Sequence, residues 1–361
     1  MANQRPLPQD TNLILQHHLG ACRNLSLLLD KFNPWRQQPD GGWQLSFLVE
    51  VQRRGQWEQK STSEGEARRL WLGSGRDNQT RLVDRPLAPN TRTDGQLLAA
   101  NYRRWQQGCN DLSAQIFELT SAARLVVGLG AESVLETSLA LHRIHGYPVI
   151  PGSALKGLAR TVAFFELAQL LGLVPLSFEE RKQRKEQQPP EQTPLEKLAT
   201  ILESNPADVS TKRNWLALQT DSAVAAEAKI KGMLFQDLTQ MEHFTNFRTV
   251  FGVLEQAGTV IFLDAMPKEK PLLVVDVMNP HYPDYYRDES GRTAPSDDQS
   301  PNPVAFLAVE TDSIFGFALA PRHRNRETDL RAVGVARRWL EIGLREVGIG
   351  AKTAAGYGVF D

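Results

Sequence analysis

The chain has 361 residues, 41% hydrophobic and 23% charged, with a formal net charge of -1. That composition can bury a core and excludes a chain disordered throughout, no apolar run approaches the ~20 residues that span a bilayer, and two cysteines can build neither a zinc site alone nor a disulfide framework. The N-terminus, MANQRPLPQD, is polar and reads as no secretory signal, so a cytoplasmic protein of about two domains, or one domain with large insertions, is expected.

In chain order, Asn12 to Asp30 reads as a helix with Leu15, Leu19, Leu25 and Leu29 on one face. Trp43, Leu45, Phe47, Val49 and Val51 alternate with mostly polar residues, as in a half-buried strand from which only Leu48 is out of phase. From there to about Asp94 the Arg-, Gly- and Ser-rich sequence suits exposed hairpins or loops. Asn101 to Trp105, NYRRW, sets two arginines between two aromatics and reads equally as a solvated helix face or as an RNA-facing element.

Ile116 to Val127 predicts a strand leading into a turn at Gly128-Leu-Gly130, and Thr137 to Ile144 a second strand. Tyr147 to Ser153 is a proline-stiffened turn that opens a helix with Leu155, Leu158, Val162, Phe165 and Ala168 at helical spacing. Ser153 is its expected N-cap, because a serine oxygen accepts a free first-turn N–H. Arg181 to Pro194 and Arg287 to Pro303 are polar and proline-broken and read as insertions or mobile loops. Helix is expected from Pro194 to about Met241, then strands at Thr259–Leu263, Leu272–Val277, Val304–Val309 and Ile314–Leu319. A helix from about Asp329 to Val347 follows, with Val333, Ala336, Leu340, Leu344 and Val347 on one face, then a glycine-rich stretch and a short strand, Val359-Phe360. Reduced to its core, this order is compatible with a β-α-β-β-α-β unit.

Two stretches suit an anion. In Gly348-Ile-Gly-Ala-Lys-Thr-Ala-Ala-Gly-Tyr-Gly358, four glycines (Gly348, Gly350, Gly356, Gly358) flank Lys352 and Thr353. Glycines allow close backbone approach, and exposed N–H groups cradle phosphates. It is no nucleotide-binding P-loop, because Ala351 precedes the lysine, the spacing from Gly348 is wrong, and too little chain follows to form the helix such a loop opens. Its two readings are a turn joining helix to edge strand, or a nest for a nucleic-acid phosphate with Lys352 as point charge and Tyr357 as a stacking face. In Pro151-Gly-Ser-Ala-Leu-Lys-Gly-Leu-Ala-Arg160, a helix start lies beside Lys156 and Arg160, one turn apart, and reads as a phosphate site or a capped helix with a solvated basic face.

The remaining candidates are weaker. Residues 322–345 hold seven arginines against three acids. His142 and His145 fit no helix-borne metal motif, and on a strand they would point to opposite faces. Asp276-Val-Met-Asn-Pro-His-Tyr-Pro-Asp-Tyr-Tyr286 mixes carboxylates, histidine and aromatics, and its two prolines favour a rigid aromatic loop over a metal site.

Several separated blocks resemble the RAMP superfamily of CRISPR proteins and, within it, the sixth subunits of type III-B Cmr effector complexes. They are Gly128-Leu-Gly130 with Ser133, Leu135 and Glu136; Leu141-His142; Gly146 to Gly157; Val260 to Pro267; Asp276 to His281 with Asp284-Tyr-Tyr286; and Gly348 to Gly358. The resemblance covers roughly residues 116–361. It implies an α+β fold with a ferredoxin-like (RRM-like) core, large insertions and a glycine-rich loop before the last strand. It implies an N-terminal elaboration over 1–110 packed on a RAMP domain over 111–361, interrupted at about 175–250 and at 287–303. It further implies a non-catalytic, cofactor-free and metal-free subunit in antiviral defence. Such a subunit binds the CRISPR guide RNA (crRNA) backbone near its 3′ part, beside the paired target RNA, and caps the filament through other Cmr/RAMP subunits. On that expectation Ser153, Lys156, Arg160, Gly348, Gly350, Lys352, Thr353, Gly356, Tyr357 and Gly358 face RNA. The alternatives are a metal-independent RAMP endoribonuclease processing repeat RNA, with His142 or His145 as general acid–base, and a protein-only scaffold.

Overall fold

A computed structural model describes residues 94–131, 137–177, 179–180, 192–204, 238–279 and 304–361, together with short strands between 35 and 82 and the single residues 22, 24, 26 and 288. All but residues 22, 24 and 26 of the expected helix over Asn12–Asp30, most of both proline-broken segments, and the chain between 205 and 237 lie outside the described residues.

In the N-terminal part, β1 (Trp35–Gln37) pairs with β2 (Trp43–Leu45), and β3 (Leu48–Arg53) lies between β4 (Gln56–Ser61) and β5 (Thr80–Leu82), all antiparallel. The expected single strand from Trp43 to Val51 is thus two, with different partners, and Leu48, the residue out of phase, begins the second.

The core is a mixed arrangement of helices on antiparallel sheet. Helix α1 (Gly95–Asp111) leads into β6 (Gln115–Thr120). After a long irregular stretch come α2 (Gly152–Leu170), α3 (Pro194–Glu203) and α4 (Leu238–Phe251). A hairpin, β7 (Gly252–Val253) and β8 (Gln256–Ala257), precedes β9 (Val260–Phe262), β10 (Met266–Pro267), β11 (Leu273–Met278), β12 (Val304–Val309) and β13 (Ile314–Pro321). Helix α5 (Glu327–Ile342) ends in a π turn over Gly343–Val347.

β13 is the sheet's spine. β6 pairs along one side of it with Phe117 opposite Phe317, and β9 and β10 pair along the other with Phe262 opposite Leu319 and Met266 opposite Gly316. β9 and β10 are therefore two halves of one strand, interrupted at 263–265. The end of the chain lies on the far side of β6, where Phe360 bridges Ser121 and Asp361 exchanges backbone bonds with Thr120. The sheet order is chain terminus, β6, β13, then β9 with β10. β11 and β12 form a separate pair, joined to the end of β6 through a bridge between Leu125 and Val309.

Alternation along β13 sends Phe315, Phe317 and Leu319 to one face and Gly316, Ala318 and Ala320 to the other. The first set, fully buried, meets α2, α4 and α5 in one apolar core with Leu155, Val162, Leu167, Phe247, Trp339 and Leu340. The second face receives α1. A Cβ on Gly316 would lie 2.4 Å from the Tyr102 hydroxyl and 2.9 Å from the Trp105 ring, so glycine lets the helix settle without displacing either ring. The Tyr102 hydroxyl then donates to Glu118 and the Trp105 indole to the Asp264 carbonyl. The aromatics of NYRRW anchor the helix to the sheet, while Arg103 and Arg104 remain exposed.

α3 shows how local signals agree. Thr193 and Glu196 form a reciprocal capping box at its start, and the Arg248 guanidinium from α4 donates to the Ile201 and Ser204 carbonyls at its end.

Candidate nucleic-acid interface

The glycine-rich stretch begins where α5 unwinds. Gly348, Gly350, Gly356 and Gly358 all have φ between +75 and +96°, and Lys352 has φ of +62°. A left-handed lysine is uncommon. It is held by its neighbours: the Ala355 and Tyr357 N–H groups both donate to the Lys352 carbonyl, and the Ala351 N–H donates to Val126. The base of the loop is closed by Ile349 N–H donating to the Gly358 carbonyl and Gly358 N–H to the Arg124 carbonyl.

Three of the four glycines serve the loop's own packing. A Cβ would lie 2.7 Å from the Tyr357 carbonyl oxygen at Gly348, 2.3 Å from that of Val126 at Gly350, and 2.0 Å from that of Ile349 at Gly358. At Gly356 nothing lies within 4 Å. The close approach that Gly348, Gly350 and Gly358 permit is thus to the chain's own carbonyls, and only Gly356 borders open space.

What the loop leaves unpaired is a set of donors. The N–H groups of Gly350, Lys352, Thr353 and Ala354 have no hydrogen-bond partner among the described residues. The Lys352 ammonium sits 5.4 Å from the centre of the buried Phe306 ring and has no carboxylate partner among them. Consecutive unpaired N–H groups beside a left-handed residue form an anion-binding concavity.

Beneath the loop lies an ionic network. The Tyr357 hydroxyl donates to Asp276 on β11, so this ring is tethered at its tip. Asp276 also accepts from the Arg124 guanidinium at 2.8 Å, and the other edge of that guanidinium grips Glu310 through two bonds of 3.1 and 3.2 Å. Burial pushes the Asp276 carboxyl up, but the Tyr357, Arg124 and backbone donors outweigh it and leave it below the ordinary value. Arg124 holds Glu310 low in the same way. Burial and the carboxylate beside it push the Tyr357 phenol up to about 12.

The second predicted site differs from expectation. Pro151, not Ser153, is the N-cap of α2, and Ser153 is exposed within the first turn. The free Gly152 N–H is satisfied across space by the Asp264 carboxylate at 2.7 Å, from the interruption between β9 and β10. A carboxylate therefore already occupies part of the positive helix end proposed for a phosphate. Lys156 and Arg160 do share a side, as their spacing requires, but both are engaged. The Lys156 ammonium donates to the Phe251 carbonyl, and burial followed by nearby Arg160 and Arg322 lowers its pKa. Arg160 pairs with Glu203 and lies over the Phe247 ring.

The basic run at 322–345 is also largely engaged internally. Arg331 pairs with Glu327, Arg337 with Glu341, Arg338 grips Glu166 with both terminal nitrogens, and Arg322 donates to the Gly258 carbonyl. His142 and His145 do not point to opposite faces. Residues 142–146 form a tight turn in which the two rings stack 4.7 Å apart, with Tyr147 against both. His142 Nδ1 accepts the Ile144 and His145 N–H groups, and burial and then His145 lower its pKa. Asp276 lies on β11, within the strand expected over Leu272–Val277, and residues 280–287 of the expected aromatic loop are outside the described set. Among the described residues no group of three or more His, Cys, Asp or Glu could hold a metal ion, and no helix is long and apolar enough to cross a membrane.

Sequence reasoning did not single out Arg124, Glu310 or Asp264. Each carries a signal in hindsight of its surroundings: a lone charge within an apolar run (Ala-Arg124-Leu-Val-Val, Ala-Val-Glu310, Phe-Leu-Asp264-Ala-Met) needs a partner.

The family model described as RAMPs, the RAMP superfamily, matches residues 69–361. The CRISPR system Cmr subunit Cmr6 of Pyrococcus furiosus is 32% identical over 267 residues, 71% of this chain and 72% of that protein. A crystal structure of Cmr6 from Pyrococcus furiosus is 30% identical and covers 68% of this chain and 96% of that one, with a TM-score of 0.39. A chain of the type III-B Cmr-beta complex bound to cognate target RNA is 19% identical, covering 74% and 65%, with a TM-score of 0.42.

Proposed function

Since the chain belongs to the RAMP superfamily, we propose that it is a non-catalytic, guide-RNA-binding subunit of a type III-B Cmr effector complex, acting in the cytoplasm in antiviral defence. It binds the guide backbone near its 3′ part, alongside the paired target RNA, and caps the filament of RAMP subunits. The observation that carries this reading is the loop over Gly348–Gly358, whose four N–H groups and lysine, without hydrogen-bond or carboxylate partners among the described residues, suit a phosphate. Phosphates carry no base information, as a subunit serving guides of any sequence requires.

The element order supports a ferredoxin-like core. β6, α2, the β9–β10 strand, β13, α5 and the terminal segment give β-α-β-β-α-β with the terminus beside β6 and β13 between the other two. Residues 111–361 then form the RAMP domain and 1–110 its elaboration, with α1 as the part of the latter that packs on the sheet. Within the loop, Lys352 and Thr353 approach the phosphate and Gly356 borders it, while Gly348, Gly350 and Gly358 shape it. Lys156 and Arg160 are already engaged within the chain, so the secondary contact first read at the start of α2 falls to exposed Ser153.

The test is to tag the full chain in its own cells, purify it gently and sequence the RNA that accompanies it. Repeat-derived guides arriving with other RAMP subunits are expected. RNA-free protein from cells expressing such guides overturns the reading.

A further inference from the structure

We infer that Asp276 is a positioning residue for the phosphate-binding loop, holding it in its binding shape through the Tyr357 hydroxyl and the Arg124 guanidinium; this rests on the reading of the loop given above. Asp276 touches nothing that binds RNA in that reading. It stands on β11, and its carboxylate joins two segments that the loop needs. One is Tyr357, which ends the loop. The other is Arg124, whose carbonyl accepts the Gly358 N–H at the loop's base.

The loop needs such a brace. Lys352 holds an uncommon left-handed backbone, a conformation that persists only where surrounding structure over-determines it. The bonds onto its carbonyl come from Ala355 and Tyr357. Release of the Tyr357 ring therefore loosens one of the two bonds that keep the Lys352, Thr353 and Ala354 donors aligned. Glu310 completes the brace by holding the opposite edge of Arg124. Tyr357 is consequently an anchor, tethered at its hydroxyl and 6.1 Å from the Phe306 ring, and not a free stacking platform.

A brace and a direct contact differ in how they respond to salt. Each phosphate a protein neutralises adds about 0.7 to the slope of log affinity against log salt for single strands. Removing a contact lowers the slope, whereas loosening a brace lowers affinity at every salt concentration and leaves the slope in place. The experiment titrates full-length chain into fluorescently labelled single-stranded RNA of mixed sequence across a sodium chloride series, for wild type, Tyr357→Phe, Asp276→Asn and Lys352→Ala. Lys352→Ala is expected to lower the slope by about 0.7. Tyr357→Phe is expected to weaken binding about two- to tenfold, part of what a hydrogen bond to a carboxylate is worth because the brace acts on the phosphate only through the loop, with the slope unchanged. It should also speed amide exchange at Ala355 and Tyr357. Asp276→Asn should follow Tyr357→Phe, and if it does not fold, Tyr357→Phe decides alone.

Binding by Tyr357→Phe equal to wild type, even with a lowered thermal midpoint, overturns the inference, because the bond is then structural only. A lowered slope for Tyr357→Phe also overturns it, in favour of direct contact. If Lys352→Ala changes neither affinity nor slope, or the wild-type chain does not bind, the loop's phosphate reading itself falls. If Lys352→Ala lowers the slope and Tyr357→Phe does nothing, only the brace falls.

Discussion

Gly358→Ala and Gly356→Ala separate a glycine required by packing from one required by backbone conformation alone. Both residues have positive φ, +75 and +87°. Placing an L side chain there costs about 1–2 kcal/mol in either case. At Gly356 that is the whole penalty, because nothing lies within 4 Å of a new Cβ. At Gly358 the methyl would stand 2.0 Å from the Ile349 carbonyl oxygen and 2.8 Å from the Ile349 nitrogen, both backbone atoms of the paired segment. Neither can swing aside as a flexible side-chain end would. Relief requires breaking the bond from Ile349 N–H to the Gly358 carbonyl, about 1 kcal/mol, and disturbing Ile349 and Phe360, which are buried. The total for Gly358→Ala is about 3–5 kcal/mol, typical of the most disruptive substitutions. With about 2.1 cal/mol/K of unfolding entropy per residue, the 361-residue chain loses about 1.3 °C of midpoint per kcal/mol. Thermal unfolding followed by circular dichroism should thus show a fall of roughly 4–6 °C for Gly358→Ala and roughly 1–3 °C for Gly356→Ala. Equal shifts in the two variants would refute the packing account of Gly358 and return it to the role first read for it, an opening for RNA.

Asp264→Ala removes the carboxylate that satisfies the Gly152 N–H, and should destabilise the chain by about 1–2 kcal/mol, as loss of a helix cap does; urea unfolding measures it, and Ser153→Ala should change almost nothing by comparison. Arg124→Met leaves Asp276 and Glu310 facing one another without their shared cation, and should destabilise more than either Asp276→Asn or Glu310→Gln in the same assay. Asp276 and Glu310 both titrate below their ordinary values when folded, so between the folded and unfolded pKa values the unfolded chain binds more protons and stability rises with pH. Their contribution is complete above the unfolded carboxylate value near 4 and is lost as pH falls through the lower folded values. The urea midpoint should therefore drop on acidification through that window, and less steeply in Asp276→Asn.

Elements set by their own periodicity were readable in the sequence, and those set by partners were not. Val304–Val309 is a strand with the boundaries its apolar run suggested, and Ile314–Leu319 needed only two more residues. Asp329–Val347 appears as a helix, but its last turn opens to a π turn so that Leu344 can accept the Phe360 N–H. Ile116–Val127 reads as one strand because apolar residues recur at both its ends, Ile116-Phe117 and Leu125-Val-Val127. The ladder with β13 ends at Thr120, and Leu125 leaves it to bridge Val309 in the other sheet. Helix α1 carries too few apolar residues for a clear stripe, and the glycine that receives it lies more than 200 residues away at Gly316. The same limit applies to the site. Glycine spacing and Lys352 were legible locally, whereas the capture of Tyr357 by Asp276 and the capping of α2 by Asp264 exist only once distant segments meet.

The charge arithmetic changes meaning once the pairs are known. A net charge of -1 argues against a chain that grips nucleic acid by a broad positive field. The pairs sharpen this, since four arginines of the 322–345 run and the Arg160 guanidinium all answer carboxylates or carbonyls of the chain itself. What remains at the glycine-rich loop is one ammonium and four N–H groups without a partner among the described residues. Neutral N–H donors release no counterions, so they add affinity and register without adding to the salt slope. A subunit built this way should hold RNA with a slope worth about one phosphate at the loop, about 0.7 for a single strand, and derive the rest of its hold from neighbouring subunits on the same strand. A slope of several units that survives Lys352→Ala would place the cationic contacts elsewhere, with exposed Arg103 and Arg104 on α1 the first to substitute.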